Sequence, residues 1–162
     1  MPATNPDSPQ KPVSFALTSV LAISTGIVVA NLYYAQPLDG LIGAALHLPP
    51  WAVGLVMTIM QVGYGLGLIF VVPLGDLLEN RRLIVVTLLF NAVALFGLTF
   101  TTTASAFFGC ALFVGITSAS VQILIPFAAH LAPARQRGQV VGNVMSGLLL
   151  GIMLSRPIAS FL

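Results

Sequence analysis

Charge is what this sequence has least of. Six Lys or Arg and four Asp or Glu are spread over 162 residues, 6% of the chain, where a soluble domain carries about 25%. So few ionised groups cannot clothe a 17.0 kDa globule in water, so lipid must solvate much of its surface. Cysteine is nearly absent too. The lone Cys110 sits in an apolar run, forms no intramolecular disulfide and builds no metal site. A net charge of +2 is too small and too scattered to grip nucleic acid. There is no nucleophile–base pair, no metal-ligand spacing and no phosphate-cradling glycine loop, so neither an enzyme nor a cofactor is expected. No Asp or Glu lies inside an apolar run, so no embedded carboxylate offers itself for proton coupling.

What is abundant is apolar surface: 57% hydrophobic residues and a mean hydropathy of +1.02. A spanning helix needs about 20 mostly apolar residues, and five runs qualify, at 14–35, 51–74, 83–101, 106–131 and 140–162. They do not alternate with period two, so each is read as a helix that satisfies its own backbone, not as a barrel strand. Residues 1–13, rich in proline, read as a disordered polar tail before a transmembrane domain over 14–162. Lys11, the apolar run Phe15–Ile27 and Val28-Val29-Ala30 mimic a signal peptide, but the run is too long and four more follow it.

The few charges are placed with a bias. Lys11 precedes the first run, Arg81 and Arg82 follow the second, and Arg135 and Arg137 follow the fourth. Asp39 and His47 sit on the other side, between the first and second runs, and no charge separates the third from the fourth. The positive-inside rule then puts the N-terminus on the cytoplasmic side of the membrane.

Polar residues inside the runs are candidates for a solute cavity. Arg156 stands out, since an intramembrane cation is costly and functional by default. It lies sixteen residues beyond Val140, about 24 Å across a core of about 30 Å. It could bind an anionic solute, lower a carboxylate pKa, or snorkel to the outer interface. Asn31 and Tyr34 share a face of the first run, Gln61 and Tyr64 of the second, Ser118 and Gln122 of the fourth. Solute binding and interhelical hydrogen bonding stay open for each. Pro126, four residues after Gln122, is expected to kink the fourth helix. Gly63 and Gly67, and Gly147, Gly151, Ser155 and Ala159, recur at spacings of four and read as close-packing stripes.

The connection after the second run, Pro73-Leu74-Gly75-Asp76-Leu77-Leu78-Glu79-Asn80-Arg81-Arg82-Leu83-Ile84, has two readings. Its arginines stop transfer and Asp76 caps the next helix, or Gly75, Asp76, Arg81 and Arg82 form a conformational gate. This loop resembles the signature between the second and third helices of the major facilitator superfamily. Gly75, Asp76 and the basic pair hold, while Val72 replaces a Gly and Leu77-Leu78 an Arg-aromatic pair. The segment Asn31-Leu32-Tyr33-Tyr34-Ala35-Gln36-Pro37 is similar to the end of the first helix in bacterial members. Arg137-Gly138, Gly147 and Gly151 are similar to the first half of the fifth-helix motif of drug:proton antiporters. Ile152 stands where that motif has Pro, and Ser155-Arg156 where it has Gly-Gly.

The resemblance implies an all-α integral membrane protein with five transmembrane helices and a cytoplasmic N-terminus, part of the N-terminal six-helix half of a major facilitator fold. It covers 14–162, about the first five of the usual twelve helices. Helices one, two, four and five would line the cavity and helix three lie outside. Asp76 would face a helix in a C-terminal half that this chain lacks. The expected function is transport of a small solute, with proton-coupled efflux by alternating access. The alternatives are a truncated or pseudogene product without transport, or a small membrane subunit working with a partner.

Overall fold

The computed structural model describes residues 13–160. The expected tail, apart from Val13, lies outside the described residues, as do the last two residues of the fifth run. Eight helices follow in order: α1 (Phe15–Tyr33), α2 (Ala35–Ala45), α3 (Pro50–Phe70), α4 (Leu74–Leu77), α5 (Asn80–Thr99), α6 (Ala104–Ser118), α7 (Val121–Leu131) and α8 (Arg137–Ser160). They make five stretches long and apolar enough to cross a membrane, with α3–α4 and α6–α7 each forming one. No strand occurs among the described residues.

Three of the five expected helices are interrupted, the second of them by a turn at residues 71–73 between α3 and α4. The first gives way at Tyr34 to α2, so residues 35–45 are helical and not a connecting loop. Pro37 explains the join. It has no N–H for the Tyr33 carbonyl, yet fits the first turn of α2, where that N–H has no helical partner. Tyr34 itself keeps helical angles (φ −60°, ψ −30°). At its far end α2 closes on His47 in the left-handed region (φ 50°). His47 N–H donates to the Ala44 carbonyl (3.3 Å) and Leu48 N–H to that of Gly43 (2.8 Å), the paired bonds that close a helix C-terminus.

The fourth expected helix is interrupted at Ala119–Ser120, between α6 and α7, and Pro126 lies within α7. Ala119 and Ser120 N–H groups bond three residues back, to Ile116 (3.3 Å) and Thr117 (3.2 Å), so one turn tightens and the axis shifts.

Packing rests on two glycine crossings. A Cβ on Gly63 would strike the Leu112 carbonyl oxygen, one on Gly67 that of Ile116, and one on Gly115 that of Met60. These glycines let the α3 and α6 backbones touch. Where α1 meets α8, a Cβ on Gly147 would strike the Ala22 carbonyl and one on Gly151 that of Gly26, while a Cβ on Gly26 would lie 2.6 Å from the Gly147 oxygen. Lipid removes the hydrophobic drive between helices, so such close van der Waals contact is what holds them. Ser155 and Ala159 continue the α8 stripe and are buried. Gly138 departs from the expectation: it is exposed, with nothing within 4 Å of a Cβ. It starts α8 before that helix meets a neighbour.

A third anchor is polar. Asn91 of α5 is buried and reaches two helices. Its Nδ2 donates to Thr117 Oγ1 (2.9 Å) and Ser118 Oγ (3.1 Å), with the Val114 carbonyl at 3.3 Å, and its Oδ1 accepts from Asn31 Nδ2 (3.1 Å). Both hydroxyls return their protons to α6 carbonyls (Thr117 to Phe113, 2.9 Å; Ser118 to Val114, 2.7 Å), which leaves their lone pairs for Asn91. The other face of α5, with Val85, Val86, Leu89, Phe90, Val93 and Phe96, is exposed and apolar, the surface a helix turns to lipid.

Candidate functional site

The expected cavity residues divide into two groups. Asn31 and Tyr34 line a small cavity of about 140 Å³ among α1, α2, α3, α5 and α6, walled by Val56, Met60, Leu95 and Ala111. Asn31 is buried and its amide nitrogen already serves Asn91. It ties helices together, and an apolar space this size leaves little room for a solute.

Gln61, Tyr64, Gln122 and Arg156 lie elsewhere. Gln122 of α7 is exposed and donates from Nε2 to the Tyr64 hydroxyl of α3 (2.8 Å). One turn along α3, Gln61 lines an open cavity of about 530 Å³ with Gln36, Met57, Thr58 and Val62. Arg156 of α8 reaches the same place, its Nη2 donating to Gln36 Oε1 (2.9 Å). Gln36, on the first turn of α2, was not among the residues singled out. The sequence signal for it is a Gln beside a Pro just after the first spanning run. The contact uses one of the five guanidinium N–H groups.

Three elements fix this geometry. Pro37 sits in the first turn of α2, the glycine crossing sets α8 against α1, and Gly63 and Gly67 set α3 against α6. Asp39 lies on α2 one turn beyond Gln36. Its Oδ1 is buried without a hydrogen-bond partner, and burial pushes its carboxyl above the usual carboxylate range.

The gate loop is built differently from its capping reading. Asp76 belongs to the short α4 and is exposed. The N-cap of α5 is Glu79, with no side-chain cap bond, so Asp76 does not cap that helix. Arg81 and Arg82 occupy the first turn of α5, and Arg82 Nε pairs with Glu79 Oε2 at 2.9 Å. Gly75 sits tightly, with Asn80 Oδ1 3.1 Å and Ile123 Cγ2 3.6 Å from a Cβ there, which seats the loop on α7. Among the described residues no three His, Cys, Asp or Glu side chains gather as metal ligands.

The family model described as Major Facilitator Superfamily matches residues 15–162. The chain is 46% identical over 155 residues to the uncharacterized transporter YgaY of Escherichia coli O157:H7, covering 95% of this chain and 39% of that protein. It is 34% identical over 140 residues to SCO4007 of Streptomyces coelicolor, named as a transporter, covering 85% of this chain and 32% of the relative. No solved structure matches. The chain thus spans about a third to two fifths of the length of these relatives, and over that span it carries glycine-crossed helices, a polar cavity and an acid–base loop in the arrangement described. It is a multi-pass membrane protein of the major facilitator superfamily, a family of transporters.

Proposed function

We propose that this chain forms the N-terminal part of a secondary transporter that moves a small solute by alternating access, with the remaining half supplied by residues outside it. The observation that carries the reading is the polar face shared by α2, α3, α7 and α8. Gln36 and Gln61 line a cavity of about 530 Å³ there, Arg156 bonds to Gln36, and Gln122 bonds to Tyr64 one turn along α3 from Gln61; the volume lies within the size range of small-ligand sites. A cavity open on one side of a bundle suits a solute enclosed between two rocking halves. Asp76, exposed at the end of α4, is free to meet a helix N-terminus of the second half in one conformation only, where the dipole favours an anion.

Proton-coupled efflux through a bacterial inner membrane is the finer reading. It is supported by the half motif Arg137-Gly138, Gly147 and Gly151 and by the side on which the arginines lie. The test reconstitutes the complete transporter in vesicles loaded with a pH dye. Solutes that are carried move protons the opposite way, and Asp76→Asn slows this exchange without unfolding the protein. Solute flux without proton movement removes the coupling. Absence of any flux from folded, oriented protein removes the transporter reading.

A further inference from the structure

The cavity beside Arg156 carries a statement about the solute, and it rests on the transport reading above. We infer that the solute is an organic anion, held through a carboxylate or similar planar oxyanion by Arg156 and Gln36, with its apolar part against Met57 and Val62.

The first support is an unbalanced charge. Arg156 sits in the outer third of an apolar span, and a cation there calls for an anion. The one ion pair among the described residues, Arg82 with Glu79, lies in the gate loop, so none of the carboxylates among the described residues lies within 4 Å of Arg156. The lining of the cavity, Gln36, Met57, Thr58, Gln61 and Val62, holds no acid either. A cationic solute would find a guanidinium and no counter-charge.

The second support is orientation. Gln36 Oε1 accepts from Nη2 at 2.9 Å, which tethers one corner of the guanidinium beside the cavity and leaves its other N–H groups for a ligand. A planar fork of this kind matches a carboxylate with two parallel hydrogen bonds, as an ammonium cannot. Thr58 spends its proton on the Gly54 carbonyl (3.1 Å), so it offers the cavity an acceptor, while the Gln61 amide offers both a donor and an acceptor.

The third is the shape of the remainder. Met57 and Val62 supply an apolar wall, and about 530 Å³ admits a carboxylate joined to a ring or short chain and not a bare inorganic ion alone. The rival is Asp39, one turn from Gln36, moving to neutralise Arg156 and leaving nothing for a ligand to do. The following measurement separates the two.

Complete protein in nanodiscs is titrated with radiolabelled benzoate, with benzamide and benzylammonium as the neutral and cationic matches of the same shape. Benzoate is expected to bind at least about tenfold more tightly than either. Arg156→Gln should weaken it about 100-fold, and Arg156→Lys less, because charge remains and the fork does not. Gln36→Leu should weaken benzoate with little change in the unfolding midpoint. Equal binding of benzoate and benzamide overturns the inference, as does full benzoate affinity in Arg156→Gln or no benzoate binding to folded protein. Should Arg156→Gln fail to fold, the three-ligand comparison on the unaltered protein and Arg156→Lys decides alone. The inference and the transport reading fail separately. Flux of neutral or cationic solutes without anion preference sinks the first and leaves the second, and anion binding without flux does the reverse.

Discussion

Asn91 and Gln122 are both amides in apolar helices, and the bundle treats them in opposite ways. Asn91 is buried where three helices meet, with its oxygen and nitrogen both engaged. Gln122 is exposed and makes one contact, to Tyr64. The same division runs through the molecule. The glycine crossings and the Asn31–Asn91 bridge form a dry, closed framework. Gln36, Gln122 and Arg156 each make a single bond on an open face that Gln61 also lines. An amide in lipid needs partners in either place. In the framework other helices supply them, while at the open face a ligand or the second half of a transporter can. Stability should therefore reside in the first set and solute handling in the second.

Substitutions can break that comparison, and they rank by how much framework they remove. Gly151→Leu should do most, because its Cβ alone collides with the Gly26 carbonyl. A loss of about 3 kcal/mol or more is expected, seen as aggregation on size exclusion or early unfolding in SDS. Asn91→Leu comes next, at about 1–3 kcal/mol, since it strands the buried Asn31 amide. Adding Asn31→Leu should restore part of that loss, and an additive double variant would show that the two do not act as a pair. Tyr64→Phe should cost only about 0.6 kcal/mol, the size of an average interhelical bond in a membrane, and reduce solute uptake more than stability.

The smallest expected effect is a pH profile. Burial raises the Asp39 carboxyl above its ordinary 3.8, so the folded state prefers it protonated. Stability should be greatest at or below that ordinary value and fall as pH rises through the raised one. Asp39→Asn should flatten this slope and match or exceed the unaltered protein at neutral pH. An unchanged slope in thermal unfolding would show that Asp39 is solvated in the fold.

Much of this architecture was legible in the sequence. Five apolar runs predicted five spans, because lipid leaves the backbone few other options, and the glycine spacings at 63/67 and 147/151 marked both crossings. Hydropathy averages over a whole turn, though, so it cannot say which side of a helix a polar residue faces. That is why Asn31 and Gln61 looked alike. The helical character of 35–45 was hidden by Gln, Pro and Asp, which read as loop residues although Pro37 suits a helix start. The interruption at Ala119–Ser120 left no mark, since small residues are equally at home in a helix or a tight turn, whereas Pro126 advertised a kink within a helix that continues through it. Asn91 was passed over as belonging to an outer helix. An Asn in the apolar middle of α5, between Leu88-Leu89-Phe90 and Ala92-Val93-Ala94, must find partners, and that argument places it.

The uncharged connection between α5 and α6 bears on how the protein is made. Only Phe100–Thr103 separates these helices, and no charge must be carried through the membrane to insert them together. Asn91 finds Thr117 and Ser118 within that same pair. A ribosome still synthesising α8 can therefore release α5 and α6 as a hairpin whose polar groups are already matched, with the Asn91 oxygen left to capture Asn31 of the waiting α1. The α1–α8 crossing has no such head start, because its two surfaces leave the ribosome more than a hundred residues apart. Assembly should then run from the centre of the chain outward, and the last joint to close is the one that brings Arg156 to Gln36.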